Sequence, residues 1–356
     1  MKTFQSLNNT IYKITHWETW DWRIKYIPIV PVWAWNCIRA GSFWFFTPSN
    51  PKLAFGGFEG ETKMSIYKHL PPGSFPKSIG ITAEMPFSEL EKSIAADFSY
   101  PFVVKPEVGR MGFLFRIIKT PAELRSYHEM MPVDYLLQEL VTYPLEVSVF
   151  YYRFPNAKTG TITGFIRKEF LEVKGDGKST LEELMTDYSR IRFRLDEMRT
   201  KHAENLQLVL KKDEIFCLSH ALNLSRGCKL VSLEHEKDER LIKVFDEISS
   251  YSDTLFYGRY DIKCSSIEEL KEGKNFSILE YNGCGGEPHH VYGNGNTLFQ
   301  ACKILAGHWN ILYQISRYNH SKGIDYWSFK RGWNAMSACR KHFALLKKID
   351  AVFSAS

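Results

Sequence analysis

Two segments in the second half of the chain bring oxygen donors side by side. In Arg259-Tyr260-Asp261 and Glu280-Tyr281-Asn282 the alternation of a strand sends the two outer residues to one face. Asp261, Glu280 and Asn282 then make a set of three hard oxygen ligands. Such a set suits Mg²⁺ bridging nucleotide phosphates rather than zinc. Upstream, Lys105 ends the apolar run 102–105 and is followed by Pro106 and a turn holding Gly109 and Gly112. A lysine at a strand end beside a glycine turn can neutralise phosphate charge while backbone N–H groups approach it. GDGKST at 175–180 resembles a Walker phosphate loop but fails the spacing, because Glu172 stands where the first glycine is required.

Further polar groups lie near these. After Asn282 the loop GCGGEPHHVYG offers Glu287, His289, His290 and Tyr292 for substrate contact, with glycine N–H groups that can help form an oxyanion hole. Adjacent histidines on a strand point apart, which disfavours a metal pair; a general base and a plain substrate contact both fit. In SHALNLSRGC, His220, Asn223 and Arg226 cluster beside Gly227. Arg226 reads either as a fork donor to carboxylate or phosphate or as a loop arginine.

The elements that must position these residues are those of a mixed α/β (α+β) protein. Strands are expected at 102–105, 113–118, 135–138, 146–153, 161–170, 256–263 and 276–281, with a helix opened by Thr120-Pro121. Capping boxes place helix starts at Ser88 with Glu91 and at Ser179 with Glu182. Residues 188–212 are charged and read as a helical insertion or exposed arm. The tail from Thr297 to Phe353 reads as two or three amphipathic helices.

In this order the motifs resemble the ATP-grasp superfamily, from about Lys63 to about Asn294. The segments that carry the likeness are GETK (60–63), PFVVKPEVGRMG (101–112), LLQELV (136–141), PLE (144–146), GRYDI (258–262) and LEYNG (279–283). The D-alanine–D-alanine ligase-like carboxylate–amine ligases are the most similar in pattern, and GDGKSTLEEL resembles a segment of cyanophycin-synthetase-type members. The resemblance implies two α+β subdomains gripping ATP and two Mg²⁺ ions. It implies that Lys63 and Lys105 contact phosphates, with Lys168 where a third such lysine can occur and Arg167 and Lys174 competing for that role, and that the turn with Gly109 and Gly112 closes over them. Gln138, Glu139 and Leu140 would read adenine, and Glu146 would hold the ribose. Asp261, Glu280 and Asn282 would bind the metal, with Arg259 on the oxyanion of a tetrahedral intermediate. The implied activity is amide formation between a small-molecule carboxylate and an amine through an acyl phosphate. Phosphoryl transfer to another acceptor, or a membrane-associated ATP-binding protein acting on a lipid-like substrate, are the alternatives.

The implied organisation is an aromatic segment (1–57), a lid subdomain (58–145), a catalytic subdomain (146–296) with an insertion at about 188–255, and a helical tail (297–356). The chain of 356 residues is long enough for sizeable cores, and 15% aromatic content argues against disorder. A net charge of +6 with dispersed basic residues gives no nucleic-acid footprint. Seven cysteines form no CxxC pair, which fits a reducing, cytoplasmic setting. The first twenty residues lack a signal-peptide pattern. Residues 16–46 depart from the resemblance, holding Trp17, Trp20, Trp22, Trp33, Trp35 and Trp44 with prolines that break the uncharged run 26–38. That run is too short to span a bilayer. The segment fits either a membrane surface, giving peripheral attachment, or an aromatic core element or homodimer contact.

Overall fold

The computed structural model describes residues 2–219 and 227–353. Its strands are β1 (Ser78–Ile81), β2 (Phe102–Pro106), β3 (Arg116–Ile118), β4 (Tyr135–Glu139), β5 (Leu145–Tyr152), β6 (Thr161–Glu169), β7 (Leu171–Lys174), β8 (Ile215–Ser219), β9 (Lys229–Ser232), β10 (Tyr257–Cys264) and β11 (Phe276–Asn282). They form a four-stranded sheet in the order β1-β4-β2-β3, a five-stranded sheet β11-β10-β5-β6-β9 and a two-stranded sheet β7-β8. All pairings are antiparallel. The fold is of the expected mixed α+β class, two larger antiparallel sheets with a helical C-terminal region.

Each sheet buries one face by alternation. Val147, Val149 and Tyr151 of β5 and Tyr260 and Ile262 of β10 pack on Leu241, Val244, Phe245 and Ile248 of the Glu239–Ser250 helix. Burial of each such side chain is worth about 1.5–3 kcal/mol before entropy is counted. This arrangement leaves Glu146, Ser148, Arg259 and Asp261 on the opposite face. In the smaller sheet, Phe102, Val104, Tyr135 and Leu137 face the Phe87–Ala95 and Pro121–Met130 helices, and the last helix adds Cys339, Phe343 and Leu346 to this core.

Several local expectations shift. The helix expected from Ser88 starts at Phe87 with Pro86 as an N-cap that makes no side-chain bond. The box expected at Ser179 and Glu182 is built one residue later by Thr180 and Glu183, because Ser179 instead joins the turn held by Asp176. Residues 188–212 are not a free arm: Ile191, Leu195, Met198 and Leu210 close a small core over β7 and β8. Within the stretch read as an insertion, β9 is an edge strand of the large sheet and the Glu239–Ser250 helix covers its apolar face.

The aromatic N-terminal segment divides. Trp44, Phe45, Phe46 and Phe55 are buried with Phe150, Phe256 and Tyr257 against the Leu298–Ser321 helix. The preceding helix, Val30–Ala40, packs on that same helix but leaves several apolar side chains exposed. Among the described residues no helix is long and apolar enough to cross a membrane.

Candidate active site

Strand register assembles the charged face of the large sheet. Asp261 stands opposite both Ser148 of β5 and Glu280 of β11, Arg259 opposite Asn282, and Glu146 opposite Lys168 of β6. Cross-strand neighbours on one face come within side-chain reach, so pairing alone gathers six of the expected site residues. Asp261 is the hub. Its Oδ2 accepts from Arg259 Nη2 at 2.9 Å and from Asn282 Nδ2 at 3.1 Å. Lys168 Nζ lies 3.0 Å from Oδ1, and the Ser148 hydroxyl donates to the same oxygen. Burial opposes the Asp261 charge, but Arg259 and Lys168 outweigh it and hold the carboxyl well below the usual carboxylate range. Lys168 is also 3.1 Å from Glu146. Burial opposes its ammonium, yet Asp261 and Glu146 prevail and raise its pKa.

The pairing of β10 with β11 carries an irregularity between Asp261 and Ile262, leaving Leu279 as the extra residue. Such a bulge re-aims backbone groups beside many active sites. Here the Leu279 carbonyl accepts from Tyr67 Oη at 2.9 Å and from Lys105 Nζ at 3.4 Å. The bulge therefore ties the two sheets together at the candidate nucleotide site.

Lys105 reaches this junction from β2. Its other acceptor is Gln138 Oε1 at 2.8 Å, so both of these partners are neutral oxygens. Part of its stem is exposed, but the ammonium is enclosed, and burial together with the nearby Lys63 charge pulls its pKa down to about 7. Lys63 is buried, 3.5 Å from the Pro106 and Glu107 carbonyls and 3.9 Å from Glu280 Oε1. The turn holding Gly109 runs beside the Lys63 amine. Met111, Gly112 and Leu114 all have positive φ. The last helix steadies this turn: His342 Nε2 is 2.7 Å from the Val108 carbonyl, and Asp350 Oδ1 accepts from the Leu114 N–H at 3.0 Å.

The remaining expected residues fall as follows. The Gln138 side chain is buried and donates to Tyr67 and Ser78, both at 2.8 Å, while Glu139 is exposed and Leu140 half-buried where the chain leaves the small sheet for β5. Glu287 is half-buried, accepts from the Tyr292 and Tyr26 hydroxyls, and offers its backbone carbonyl to Arg259 Nη1 at 2.8 Å. His289 and His290 are buried and pack over Ser148, Phe150 and Gly164. Burial, with the Arg259 charge, pushes His289 well below the usual histidine range, and burial brings His290 down to about 4. A Cβ on Gly164 would lie 2.0 Å from His290 Nδ1, so β6 needs glycine there to admit the ring. Arg226, with His220 and Asn223, lies outside the described residues.

Sequence reasoning missed three things. Ser148 on Asp261 was signalled only by its period-two relation to Glu146. Tyr26 comes from the segment read as peripheral, and nothing local foretells its 261-residue contact with Glu287. The glycines of GCGG admit another loop instead of a substrate: a Cβ on Gly283 would meet the Gly56 carbonyl at 2.7 Å, and one on Gly285 the Phe58 carbonyl at 2.1 Å. Among the described residues, no three His, Cys, Asp or Glu side chains gather as a metal cluster; the candidate set is two carboxylates and an amide.

Two sheets meeting at a bulge, with Lys105 on one, Lys63 beside it and a carboxylate–amide register on the other, form the candidate site. Among solved structures, the chain is similar to a bifunctional glutathione synthetase from Pasteurella multocida, with a TM-score of 0.43 and 14% identity over 71% of this chain and 38% of that one. It is also similar to a D-alanine–D-alanine ligase from Bacillus anthracis, with a TM-score of 0.41 and 15% identity over 74% and 69%. The VanG D-Ala:D-Ser ligase from Enterococcus faecalis gives a TM-score of 0.39 and 14% identity over 76% and 64%. The chain thus spans well under half of the first of these. No protein-family model and no curated protein matches it.

Proposed function

We propose that the protein is an ATP- and Mg²⁺-dependent ligase that joins a carboxylate to an amine. The observation that carries this reading is the enclosed Lys105 ammonium at the bulge, which has hydrogen-bond acceptors but no direct ion pair among the described residues. Lys105 is held between neutral acceptors with its pKa depressed by burial and by Lys63, and a phosphate group would supply the opposite charge that offsets both. On the facing strand, Glu280 and the Asn282 amide oxygen offer hard donors, with Asp261 beside them already shared by Arg259 and Lys168. These three residues fit Mg²⁺, which when bound would neutralise phosphate charge.

In the reaction a carboxylate oxygen attacks the γ-phosphorus of ATP and ADP leaves. The amine nitrogen then attacks the acyl carbon, and phosphate leaves as the amide forms. The chain's task is positioning and charge neutralisation. Lys63 and Lys105 hold the phosphates under the Gly109–Gly112 turn. Adenine reading falls to the backbone of Glu139 and Leu140, because the Gln138 side chain is turned inward. Glu146 Oε1 is taken by Lys168, so a ribose contact falls to its other oxygen. Arg259, fixed by Asp261 and the Glu287 carbonyl, supports the tetrahedral oxyanion. His289 and His290, buried and kept neutral, hold the substrate loop rather than move protons.

The test is ADP and phosphate release from purified protein with Mg·ATP against pooled amino acids, small peptides and lipid amines, with mass spectrometry of the products. An amide with one ADP and one phosphate per turnover supports the reading. A stable phosphoester would replace it with phosphoryl transfer.

A further inference from the structure

The Val30–Ala40 helix is apolar on both faces: Trp33, Cys37 and Ala40 pack inward on the aromatic core. Its fully buried polar side chain, Asn36, points at the Leu298–Ser321 helix, where its amide donates to Asn310 Oδ1 at 3.3 Å. Its outward face is apolar: Val30, Pro31, Ala34, Trp35 and Ile38 recur at helical spacing on the exposed side, with Trp35 58% and Ile38 71% exposed. Ile27, 63% exposed, extends the strip at one end. At the other, the chain turns at Gly41 to Phe43, which lies 5.7 Å from Phe329, and Phe329 stacks on Trp333 at 5.9 Å. Phe43, Phe329 and Trp333 are each about half-exposed. A soluble protein rarely leaves such a continuous apolar strip in water without a use for it.

The charge around the strip is one-sided. Residues 22–58 hold four lysines and arginines and no carboxylate, and residues 288–349 hold nine with one carboxylate, Asp325. These two stretches supply the helix, the Leu298–Ser321 helix it packs on and most of the last helix. The whole chain carries +6, so the remainder, including both catalytic strands, is net negative. Arg39, Lys330 and Arg331 are exposed beside Ile38 and Phe329. A second copy of the chain would set this basic layer against itself, whereas an anionic bilayer complements it. Eleven residues of helix are about 16 Å long, enough to lie in the headgroup layer and not to cross it.

We propose that this strip, from Ile27 through Trp35 and Ile38 to Phe329 and Trp333, docks the protein on the surface of an anionic lipid bilayer, with the apolar side chains in the headgroup–acyl boundary and the basic layer on the phosphates. The proposal stands on exposure and charge and does not depend on the reaction at the site. It is tested by floating the full chain with vesicles of phosphatidylcholine alone and with vesicles carrying about one third phosphatidylserine. Binding to the anionic vesicles at least about tenfold tighter than to the neutral ones, weakened by added salt, is expected. Ile38→Asp should lower that binding by about tenfold or more without moving the melting temperature, because Ile38 stands mostly in water. Arg39→Glu with Lys330→Glu should remove the preference for anionic lipid. Wild type left in the soluble fraction with both vesicles, or Ile38→Asp floating as well as wild type, would overturn the proposal. So would a dimer in solution that Ile38→Asp separates and that never floats, since it would assign the strip to a second copy.

Discussion

Lys105 and Lys168 occupy the two sides of one site and are treated in opposite ways. Lys168 sits between two carboxylates, Glu146 and Asp261, at 3.1 and 3.0 Å, and its pKa is raised. Lys105 has two neutral oxygens as hydrogen-bond partners, and burial with the Lys63 charge outweighs the more distant Glu280, Glu107 and Glu146 and brings its pKa down to about 7. The first lysine is balanced within the protein and so belongs to the fold. The second has no direct ion-pair partner among the described residues, which is the state the proposed phosphate contact needs. Burial costs both of them; the difference is whether the compensating charge is built in.

The largest effect that can break this contrast is on turnover. Lys105→Met should lower kcat/KM with Mg·ATP by about 10²–10³ while leaving the free protein's thermal stability unchanged or higher. Loss of stability with little loss of activity would reverse the assignment. Lys168→Met should do the opposite in stability: removing one partner from a buried pair typically costs about 3–5 kcal/mol, read from denaturant unfolding. Lys168→Met combined with Glu146→Gln should recover part of that loss, because Asp261 keeps Arg259 whereas Glu146 is the carboxylate left without its cation.

The proton balance of Lys105 gives a smaller, signed effect. Burial and the Lys63 charge bring the Lys105 pKa in the folded protein down to about 7, from the 10.5 of an ordinary lysine. Between those values the unfolded chain holds more protons, so the stability of the free protein should rise with pH across that window. A phosphate beside the amine raises its pKa again. At pH 8, where roughly a tenth of the free protein carries this proton, nucleotide binding should take up close to one proton, and affinity should fall as pH rises from 7 to 9. Calorimetry in buffers of different ionisation enthalpy measures the uptake. None at pH 8 would mean that phosphate does not reach Lys105.

What the sequence made legible follows the same division. Residues that share a strand face, such as Arg259 with Asp261 and Glu280 with Asn282, were readable because alternation is a local property. The core strands were legible for the same reason, most ends falling within a residue or two. Long-range partners were not. That Lys168 neutralises Asp261 depends on β10 and β6 both flanking β5, and that Tyr26 reaches Glu287 depends on how the N-terminal segment wraps. The glycines of GCGG were read as ligand-facing because glycine signals close approach without saying what approaches. The capping box moved by one residue because Thr180 and Ser179 offer equivalent hydroxyls, and the Asp176 turn claims Ser179.

The smallest effect concerns the turn above Lys63. Met111 and Leu114 hold left-handed backbone without being glycine, which costs about 1–2 kcal/mol each, so their surroundings must impose it. The last helix supplies that restraint through His342 on the Val108 carbonyl and Asp350 on the Leu114 N–H and the Arg116 guanidinium, the latter at 3.1 Å. These contacts lie on the Lys105 side of the site and touch nothing around Lys168. His342→Ala should therefore raise the KM for Mg·ATP by about three- to tenfold, the worth of roughly one hydrogen bond, with kcat little changed. The pH dependence of nucleotide affinity should stay as in wild type, because Lys105 keeps its partners. An equal fall in kcat would show that the helix shapes the reacting centre, and an unchanged KM would show that the turn holds its conformation unaided.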